Sequence, residues 1–285
     1  MSGERWFSER IGGDARVDLR AERVLHESGT GHQHMVLFEN PLFGRVLMLD
    51  SVIQTTTADE FVYHEMIVHV PVLAHGSARR VLIIGGGDGG SAEEVLKHQS
   101  VERVVQVEID PSVIEFARTY LSDIHHGAFD DPRLELKIAD GARFVAETDE
   151  RFDVVIVDST DPSGPSRVLY ERPFFEAARR AMTDGGVLVN QCAVPFQDAT
   201  ALRATANGLD GVFADRTAYL ASVPAYYAGP MAFGWGSDDP ALREVPVETL
   251  ASRFAAAGFA TRYYTPEVHK AAFALPPYIG EIIAG

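Results

Sequence analysis

Carboxylates follow four apolar segments of this chain, at the points where the segments end. The segments at 81–84, 104–107, 134–138 and 154–157 lead to Asp88, to Glu108, to Asp140, and to the pair Asp158 and Asp161. If these segments are strands of one parallel sheet, their carboxyl ends meet in one crevice. Carboxylates gathered there attract a cation, and one of them can accept a proton from an amine.

The apolar segments alternate with predicted helices. A glycine loop follows the strand at 81–84 and leads into a helix at 91–98, and Pro111 opens another helix after the strand at 104–107. This alternation is typical of a doubly wound, Rossmann-like parallel sheet. Nearly continuous apolar runs, as expected of strands covered by helices on both faces, lie at 134–138, 154–157 and 187–189.

The glycine loop and Glu108 together favour an adenosine ligand. Glycines let the backbone approach a nucleotide closely, although a tight turn without a ligand gives the same pattern. Glu108 ends the next strand and is suited to accept hydrogen bonds from both ribose hydroxyls. NAD is the obvious alternative, but Asp88 places a negative charge where the pyrophosphate would bind. Asp140 and Gly141 resemble the pair that meets adenine in adenosylmethionine-using folds, so a sulfonium nucleoside is favoured.

Asp88 also bears on which sulfonium is bound. A carboxylate that faces the amino acid end of adenosylmethionine repels the ligand's own carboxylate in a partly desolvated site. The decarboxylated form lacks that group, and Asp88 would bind its remaining ammonium. A methyltransferase on the same kind of sheet stays an alternative, but it leaves the position of Asp88 poorly explained.

The loop at 158–165 places Asp158 and Asp161 three residues apart among proline and glycine. An Asx turn would account for one of these aspartates through a local backbone hydrogen bond, but not for both. With Asp88 in the same crevice, the pair indicates a second binding region beside the nucleoside.

The N-terminal part predicts a different architecture. A helix follows at 59–74, which Pro71 is expected to end or bend. We therefore predict a small antiparallel β-domain over residues 1–58, a connecting helix over 59–79, and a methyltransferase-type, Rossmann-like catalytic domain over 80–285. The short β-rich runs of the first unit lie at 17–26, 35–39, 45–49 and 52–56.

Composition narrows the class of protein. The chain has 41 acidic and 25 basic residues and a net charge of −16, so we expect no binding to nucleic acid or anionic membranes. The stretch at 217–237 is uncharged, but prolines and glycines interrupt it, and a membrane span is not expected. Cys192 is the single cysteine, which excludes an internal disulfide framework, and the first residues lack the apolar core of a signal peptide. Both features indicate a cytoplasmic protein.

The motifs together resemble one enzyme family. Gly-Gly-Gly-Asp-Gly-Gly at 85–90 followed by Asp-Ser-Thr-Asp-Pro at 158–162 resembles the signature pair of the polyamine aminopropyltransferases, particularly the bacterial spermidine synthases. The resemblance extends over nearly the whole chain. Further segments similar to that family lie at 43–46, 50–56, 59–66, 263–264 and 271–276.

The resemblance implies roles for individual residues. Asp158 matches the family's proton acceptor, with Tyr63 and Asp161 as further catalytic candidates, and the loop at 159–170 matches its lid. Gln54 and Asp88 match contacts to the aminopropyl arm. The positions that match nucleoside contacts are Gln33, Gly85, Gly87, Glu108, Asp140, Gly141 and Pro165. The positions expected in the acceptor groove are Tyr63, His64, Asp88, Asp158, Ser159, Thr160, Asp161, Gln191 and Tyr226.

The activity implied is transfer of the aminopropyl group of decarboxylated S-adenosylmethionine to putrescine, with release of spermidine and 5'-methylthioadenosine. Decarboxylated S-adenosylmethionine is then a co-substrate, no cofactor is bound permanently, and no metal is expected. Asp158 would take the proton as the amine attacks, while Asp161 would hold the remote ammonium. The resemblance also implies a homodimer or homotetramer.

Other interpretations remain open at this point. Agmatine, cadaverine or spermidine could replace putrescine as acceptor, or the chain could be a polyamine- or nucleoside-binding relative without turnover. His125 with His126, and His32 with His34, could suggest metal pairs but lack fitting carboxylate neighbours. Cys192 is more often a packed small hydrophobe than a nucleophile. Positions that depart from the family pattern are Glu93, Arg167, His34 and Cys192.

Overall fold

The computed structural model describes residues 4–11, 13–29 and 34–285. Its N-terminal part is antiparallel. Strands β1 (Arg5–Ile11) and β2 (Ala15–Ala21) form a hairpin of their own. A four-stranded sheet follows in chain order, built from β3 (Arg23–Gly29), β4 (His34–Asn40), β5 (Gly44–Leu49) and β6 (Val52–Thr56).

The predicted single strand at 17–26 is wrong. The chain bends at Glu22, so that β2 pairs with β1 whereas β3 pairs with β4. The N–H of Glu22 donates to the carbonyl of Glu39 at 2.8 Å, which begins the pairing of the second sheet. No glycine or proline marks this bend, because the change of partner strand comes from tertiary pairing rather than from local turn chemistry. Strand β1 was not predicted.

Helix α1 (Glu60–His75) joins the antiparallel sheets to the rest of the chain. Of the two alternatives predicted for Pro71, the structure excludes the first, because the helix continues past it to His75. The helix ends at Gly76, which adopts a left-handed conformation with φ of 77° and donates its N–H to the carbonyl of Val72 at 2.9 Å. Thirteen of its residues are buried, so tertiary packing stabilises the helix despite the missing proline N–H.

A seven-stranded sheet forms the larger part of the fold, in the order β12-β13-β11-β10-β7-β8-β9. The five strands from β11 to β9 are parallel to one another, and β13 pairs antiparallel with both β11 and β12. The strands are β7 (Arg80–Gly85), β8 (Arg103–Glu108), β9 (Leu134–Ile138), β10 (Phe152–Asp158), β11 (Met182–Gln191), β12 (Asp215–Ala221) and β13 (Met231–Ser237).

The uncharged stretch at 217–237 therefore contains most of β12 and β13, which were not predicted as strands. Both strands are largely buried, which explains why the stretch is free of charge. Within the described part of the chain, no helix is long and apolar enough to cross a membrane.

Helices cover both faces of this sheet. Alternate residues of β7 belong to two separate cores, with Val81 and Ile83 on the side of α1 and Leu82 and Ile84 on the opposite side. This alternation confirms that the apolar runs are strands buried on both faces. The remaining α-helices are α2 (Gly90–Leu96), α3 (Pro111–Tyr120), α4 (Ser122–His125), α5 (Gly141–Glu147), α6 (Arg172–Arg180), α7 (Thr200–Leu209), α8 (Val247–Ala257), α9 (Pro266–Ala272) and α10 (Pro277–Ala284).

Glu65 ties the C-terminal part of the chain to α1. Its buried carboxylate accepts the backbone N–H groups of Arg262, Tyr263 and Tyr264 at 2.7, 2.8 and 2.7 Å. Charged acceptors make the stronger hydrogen bonds of proteins, and three donors here depend on one side chain. The position of the C-terminal segment, and of α9 beyond it, thus depends on Glu65.

Replacing Glu65 by glutamine should destabilise the fold although the shape of the side chain is kept. One carboxylate oxygen becomes an NH₂ group that cannot accept an N–H, and we expect a loss of about 2 kcal/mol in the free energy of unfolding. Urea denaturation followed by circular dichroism measures it. Glu248→Gln on the exposed side of α8 is the control and should change stability by less than about 0.5 kcal/mol. Equal stability of the two variants would contradict this role of Glu65.

Candidate functional site

The crevice forms where β7 and β10 end side by side. Gly85 has φ of 86° and a side chain there would collide with the carbonyl oxygen of Asp158, so only glycine allows this turn. The N–H of Gly86 donates to that same carbonyl at 2.7 Å. The glycine loop and the Asp158 loop are thereby held against each other.

Asp158 lies at the base of the crevice with both carboxylate oxygens engaged. The hydroxyl of Tyr63 donates to Oδ1 at 2.5 Å, and that of Ser91 donates to Oδ2 at 2.6 Å. Burial raises the pKa of Asp158, and the negative charge of Asp88 raises it further, whereas His64 and the two hydroxyls oppose the rise. The result is a carboxylate of increased basicity at the place where the sequence predicted a proton acceptor.

His64 lies between two carboxylates and is almost fully buried. Its Nδ1 is 2.7 Å from Glu60 Oε2, and its Nε2 is 3.4 Å from Asp88 Oδ2. Burial by itself would lower the pKa of His64, but Asp88 and Glu60 raise it well above its ordinary value. In turn, burial would raise the pKa of Asp88, but His64 and the N–H of Gly90 lower it. His64 is therefore an imidazolium and Asp88 is ionised.

One ligand atom each from His64, Asp88 and Asp158 lies within 4.8 Å of the others. An imidazole with two carboxylates is a donor set that can hold a divalent cation. Here, however, the nitrogens of His64 already face carboxylates, and Tyr63 and Ser91 donate to Asp158. A metal ion would have to displace these contacts, whereas a ligand ammonium could add hydrogen bonds to Asp88.

Glu108 and Gly87 shape the region expected for the ribose. Glu108 is buried and its Oε1 accepts the N–H of Asp110 at 2.9 Å. Burial raises its pKa. A side chain on Gly87 would come within 3.0 Å of Glu108 Oε2 and still closer to Val113, so glycine leaves this carboxylate oxygen accessible to a ligand.

Asp140 and Gly141 follow the neighbouring strand β9. Asp140 caps α5, accepting the N–H of Arg143 at 3.0 Å, and a side chain on Gly141 would contact Ile84 at 2.5 Å. Pro165 is exposed in a 3-10 helix over Gly164–Tyr170. Gln33 lies outside the described residues.

Two tyrosines line the other side of the crevice. The rings of Tyr63 and Tyr226 lie edge to face with centroids 6.4 Å apart. Tyr226 donates its hydroxyl to the backbone carbonyl of Gln54 at 2.6 Å, which connects the loop after β12 to strand β6. Burial raises the pKa of Tyr226, and the charges of four aspartates, including Asp158 and Asp161, raise it further. This tyrosine therefore lies within the field of both aspartates of the loop at 158–165.

Asp161 and Gln191 meet further along the same side. Gln191 Nε2 is 3.3 Å from Asp161 Oδ1 and 2.5 Å from the hydroxyl of Tyr170. Asp161 is exposed as a residue, but the protein around its carboxylate raises its pKa while Gln191 opposes the rise. Ser159 and Thr160 connect the two aspartates, and the carbonyl of Thr160 is 3.1 Å from the Tyr170 hydroxyl.

Four residues were missed by sequence reasoning, and one of them, Tyr170, was named only as the end of the loop at 159–170. Glu60 stands four residues before His64, a helical spacing that could have revealed the pair. Ser91 directly follows the glycine loop but was read only as the start of a helix. No sequence pattern pointed to Glu9 on β1. Burial and the charge of Asp161 raise its pKa to about 7, although the hydrogen bond that it accepts from the N–H of Ile53 opposes the rise.

The departures from the family pattern lie outside the crevice or are buried. Glu93 pairs with Lys97 at 2.9 Å, and Arg167 pairs with Glu171 at 3.6 Å on the surface. Cys192 is fully buried, and burial raises the pKa of its thiol to about 12. These facts confirm that Cys192 is a packed side chain rather than a reactive thiolate.

Two family models match the chain. The model of the spermine/spermidine synthase domain matches residues 60–246, and that of the spermidine synthase tetramerisation domain matches residues 5–57. A polyamine aminopropyltransferase of Ruegeria sp. (strain TM1040) is 53% identical over 99% of each chain. Polyamine aminopropyltransferase 1 of Pseudomonas aeruginosa is 56% identical over 92% of each chain.

Solved structures match the fold over nearly its full length. A crystal structure of spermidine synthase in complex with the transition state analogue AdoDATO superimposes with a TM-score of 0.92 at 36% identity, covering 98% of this chain and 95% of that one. Spermidine synthase from Thermotoga maritima superimposes with a TM-score of 0.89 at 35% identity, covering 98% of this chain and 94% of that one. The predicted fold class is confirmed.

The charge of His64 can be observed directly. In protein labelled with ¹⁵N-histidine, the resonances that disappear in His64→Asn should be those of an imidazolium at pH 7. Glu60→Gln removes one of the two anions beside the ring and should lower the pKa of His64. Glu94→Gln is the matched control, because Glu94 lies 3.1 Å from the separate, buried His69. An ordinary histidine titration of His64 in the wild type would contradict the assignment.

Proposed function

This chain belongs to the spermine/spermidine synthase family of aminopropyltransferase enzymes, as the resemblance of its motifs predicted, and we propose that it transfers the aminopropyl group of decarboxylated S-adenosylmethionine to putrescine. The products are spermidine and 5'-methylthioadenosine. The observation that carries this proposal is the cluster of His64, Asp88 and Asp158 at the end of the parallel strands. In this cluster the ionised carboxylate of Asp88 can bind a cation, and the more basic carboxylate of Asp158 can accept a proton.

The donor would be held through its ammonium and its ribose. Asp88 is ionised because His64 lowers its pKa, so it can accept hydrogen bonds from the ammonium of the aminopropyl arm. A donor with an intact carboxylate would bring a second anion to Asp88, which disfavours it. Glu108 would accept hydrogen bonds from the ribose hydroxyls, and Gln54 would contact the aminopropyl arm.

The acceptor must lose a proton before it can attack. An amine with a pKa near 10 is neutral in only about one molecule in a thousand at pH 7. Asp158 is suited to take the proton, since burial and Asp88 raise its pKa. The hydroxyl of Tyr63, 2.5 Å from Asp158 Oδ1, orients this carboxylate while leaving it charged.

The transfer itself is a direct displacement. The lone pair of the amine nitrogen forms a bond to the propyl carbon next to sulfur, and the carbon–sulfur bond breaks with its electron pair remaining on sulfur. The sulfonium becomes a neutral thioether, and the nitrogen, which has given one proton to Asp158 before the attack, leaves as the secondary ammonium of spermidine. No covalent intermediate with the enzyme arises, and the protein acts mainly by alignment and by exclusion of water.

The remote ammonium of putrescine is placed at the outer end of the groove. Asp161 carries a carboxylate there, and the pKa of Glu9, which burial raises, is raised further by the charge of Asp161. A cation between the two would relieve their repulsion. Tyr63 and Tyr226 provide aromatic surface on which the methylene groups of the diamine can pack. We therefore assign the diamine to the groove between Asp158 and Asp161.

The match of residues 5–57 to the tetramerisation domain model supports a homo-oligomer, and we propose a homodimer or homotetramer. Location in the cytoplasm stays a prediction that rests on the single cysteine. The division of the chain at residues 58 and 79 into domains is likewise our proposal.

Replacement of Asp158 by asparagine should reduce kcat with putrescine by at least about a hundredfold, because a positioned base commonly contributes that much. Spermidine and methylthioadenosine are quantified by mass spectrometry, with intact adenosylmethionine, agmatine, cadaverine and spermidine run in parallel. Asp184→Asn, an exposed substitution at the start of β11, is the control and should retain full activity. Turnover only with another amine would show that putrescine is not the acceptor. A fully active Asp158→Asn would show that Asp158 is not the base.

Glu9 should make acceptor binding depend on pH near neutrality. With a pKa of about 7, its carboxyl is protonated below that pH and gains its charge above it, so the KM for putrescine should fall between pH 6 and pH 8. In Glu9→Gln this fall should be smaller, and the KM at pH 8 should be higher than in the wild type. Parallel KM profiles of the two proteins would show that Glu9 does not contact the diamine.

A further inference from the structure

Tyr170 closes a chain of hydrogen bonds at the outer end of the groove. The residue is 3% exposed, and its hydroxyl lies 2.5 Å from Gln191 Nε2 and 3.1 Å from the carbonyl oxygen of Thr160. A carbonyl oxygen can only accept, so the hydroxyl donates to Thr160 and accepts from Gln191. Both capacities of this hydroxyl are therefore used within the site.

The same chain determines which way the amide of Gln191 points. Its Oε1 accepts the backbone N–H of Ala193 at 2.9 Å. Its NH₂ group then faces Tyr170 and Asp161 Oδ1, the latter at 3.3 Å. The reversed amide would place an oxygen against the carboxylate of Asp161 and an NH₂ group against a backbone N–H, both repulsive.

Ala193 adds a further constraint. It has φ of 55°, a left-handed conformation that is strained for a residue with a side chain. This strained turn directs the N–H of Ala193 back toward Gln191. The side-chain oxygen of Gln191 is thus held by the N–H of Ala193, and its side-chain nitrogen by the hydroxyl of Tyr170.

The positions along the chain show what the hydroxyl connects. Thr160 stands at the start of the segment 159–170, Tyr170 at its end, and Gln191 on strand β11. One phenol group therefore closes the segment into a loop and fixes that loop to the sheet. Asp161 lies inside the closed loop, and its carboxylate is oriented by Gln191.

We propose that Tyr170 is a positioning residue for the acceptor amine: its hydroxyl fixes Gln191, and through Gln191 it presents the carboxylate of Asp161 to the remote ammonium. This inference rests on the proposed function, since it assumes an acceptor with a second cationic group. Tyr170 itself contacts no reacting atom in this scheme. Its effect should therefore fall on acceptor binding and not on the chemical step.

Replacing Tyr170 by phenylalanine removes the hydroxyl and keeps the ring that packs in the core. We expect the KM for putrescine to rise about five- to tenfold, as for the loss of one hydrogen bond, with kcat and the KM for decarboxylated S-adenosylmethionine within about twofold of wild type. Tyr219→Phe is the matched control, because this buried tyrosine also donates to a backbone carbonyl, that of Met66 at 2.9 Å, outside the groove. It should change none of the three constants.

A monoamine acceptor separates positioning from a general loss of structure. 1-Aminobutane has the reacting amine of putrescine but no remote ammonium, so Tyr170→Phe and wild type should have the same kcat/KM with it. An unchanged KM for putrescine overturns the inference, and so does an equal defect with 1-aminobutane. The wild type alone tests the proposed function. If it consumes another diamine instead of putrescine, the KM of Tyr170→Phe for that diamine is compared with the KM of the wild type, and this comparison still decides the role of Tyr170.

Discussion

The site depends on one electrostatic arrangement, the imidazolium of His64 between the carboxylates of Glu60 and Asp88. Asp88 and Asp158 approach within 4.8 Å, and at an effective dielectric constant of 20 two such anions repel by at least roughly 3 kcal/mol. His64 offsets this repulsion mainly for Asp88, which it faces directly. The two carboxylates consequently shift in opposite directions, with the pKa of Asp88 lowered and that of Asp158 raised. One can then hold a cation while the other takes up a proton.

Helix α1 and the glycine loop make this arrangement possible. Consecutive residues of a helix point about 100° apart, so Tyr63 reaches Asp158 on one strand end while His64 reaches Asp88 in the loop beside it. Gly90 completes the fit, since any side chain there would occupy the place of the His64 ring. The glycines of the loop therefore serve protein contacts as much as an approach to the nucleoside, and the helix connects the antiparallel sheets to the chemistry.

Local patterns were enough to predict the strand ends and their carboxylates. Asp88, Glu108 and Asp158 follow directly from apolar runs and the glycine loop, because these signals lie within a few residues of one another. Glu9 and Tyr170 could not be found in this way, since their importance comes from contacts across the fold with Asp161 and Gln191. The bend at Glu22 and the strands β12 and β13 were missed for a similar reason: partner strands, rather than local turn residues, determine where they begin.

The two aspartates of the loop at 158–165 acquire different tasks from different surroundings. Asp158 accepts hydrogen bonds from two neutral hydroxyls at the closed end of the groove. An amine that becomes neutral there does not give up a well-hydrated charge. Asp161 is exposed and receives an amide N–H, so water remains near the cation that it would hold. In the proposed reaction a diamine stays charged at one end to bind and becomes neutral at the other to react, and this difference in exposure suits Asp158 to the neutral nitrogen and Asp161 to the charged one.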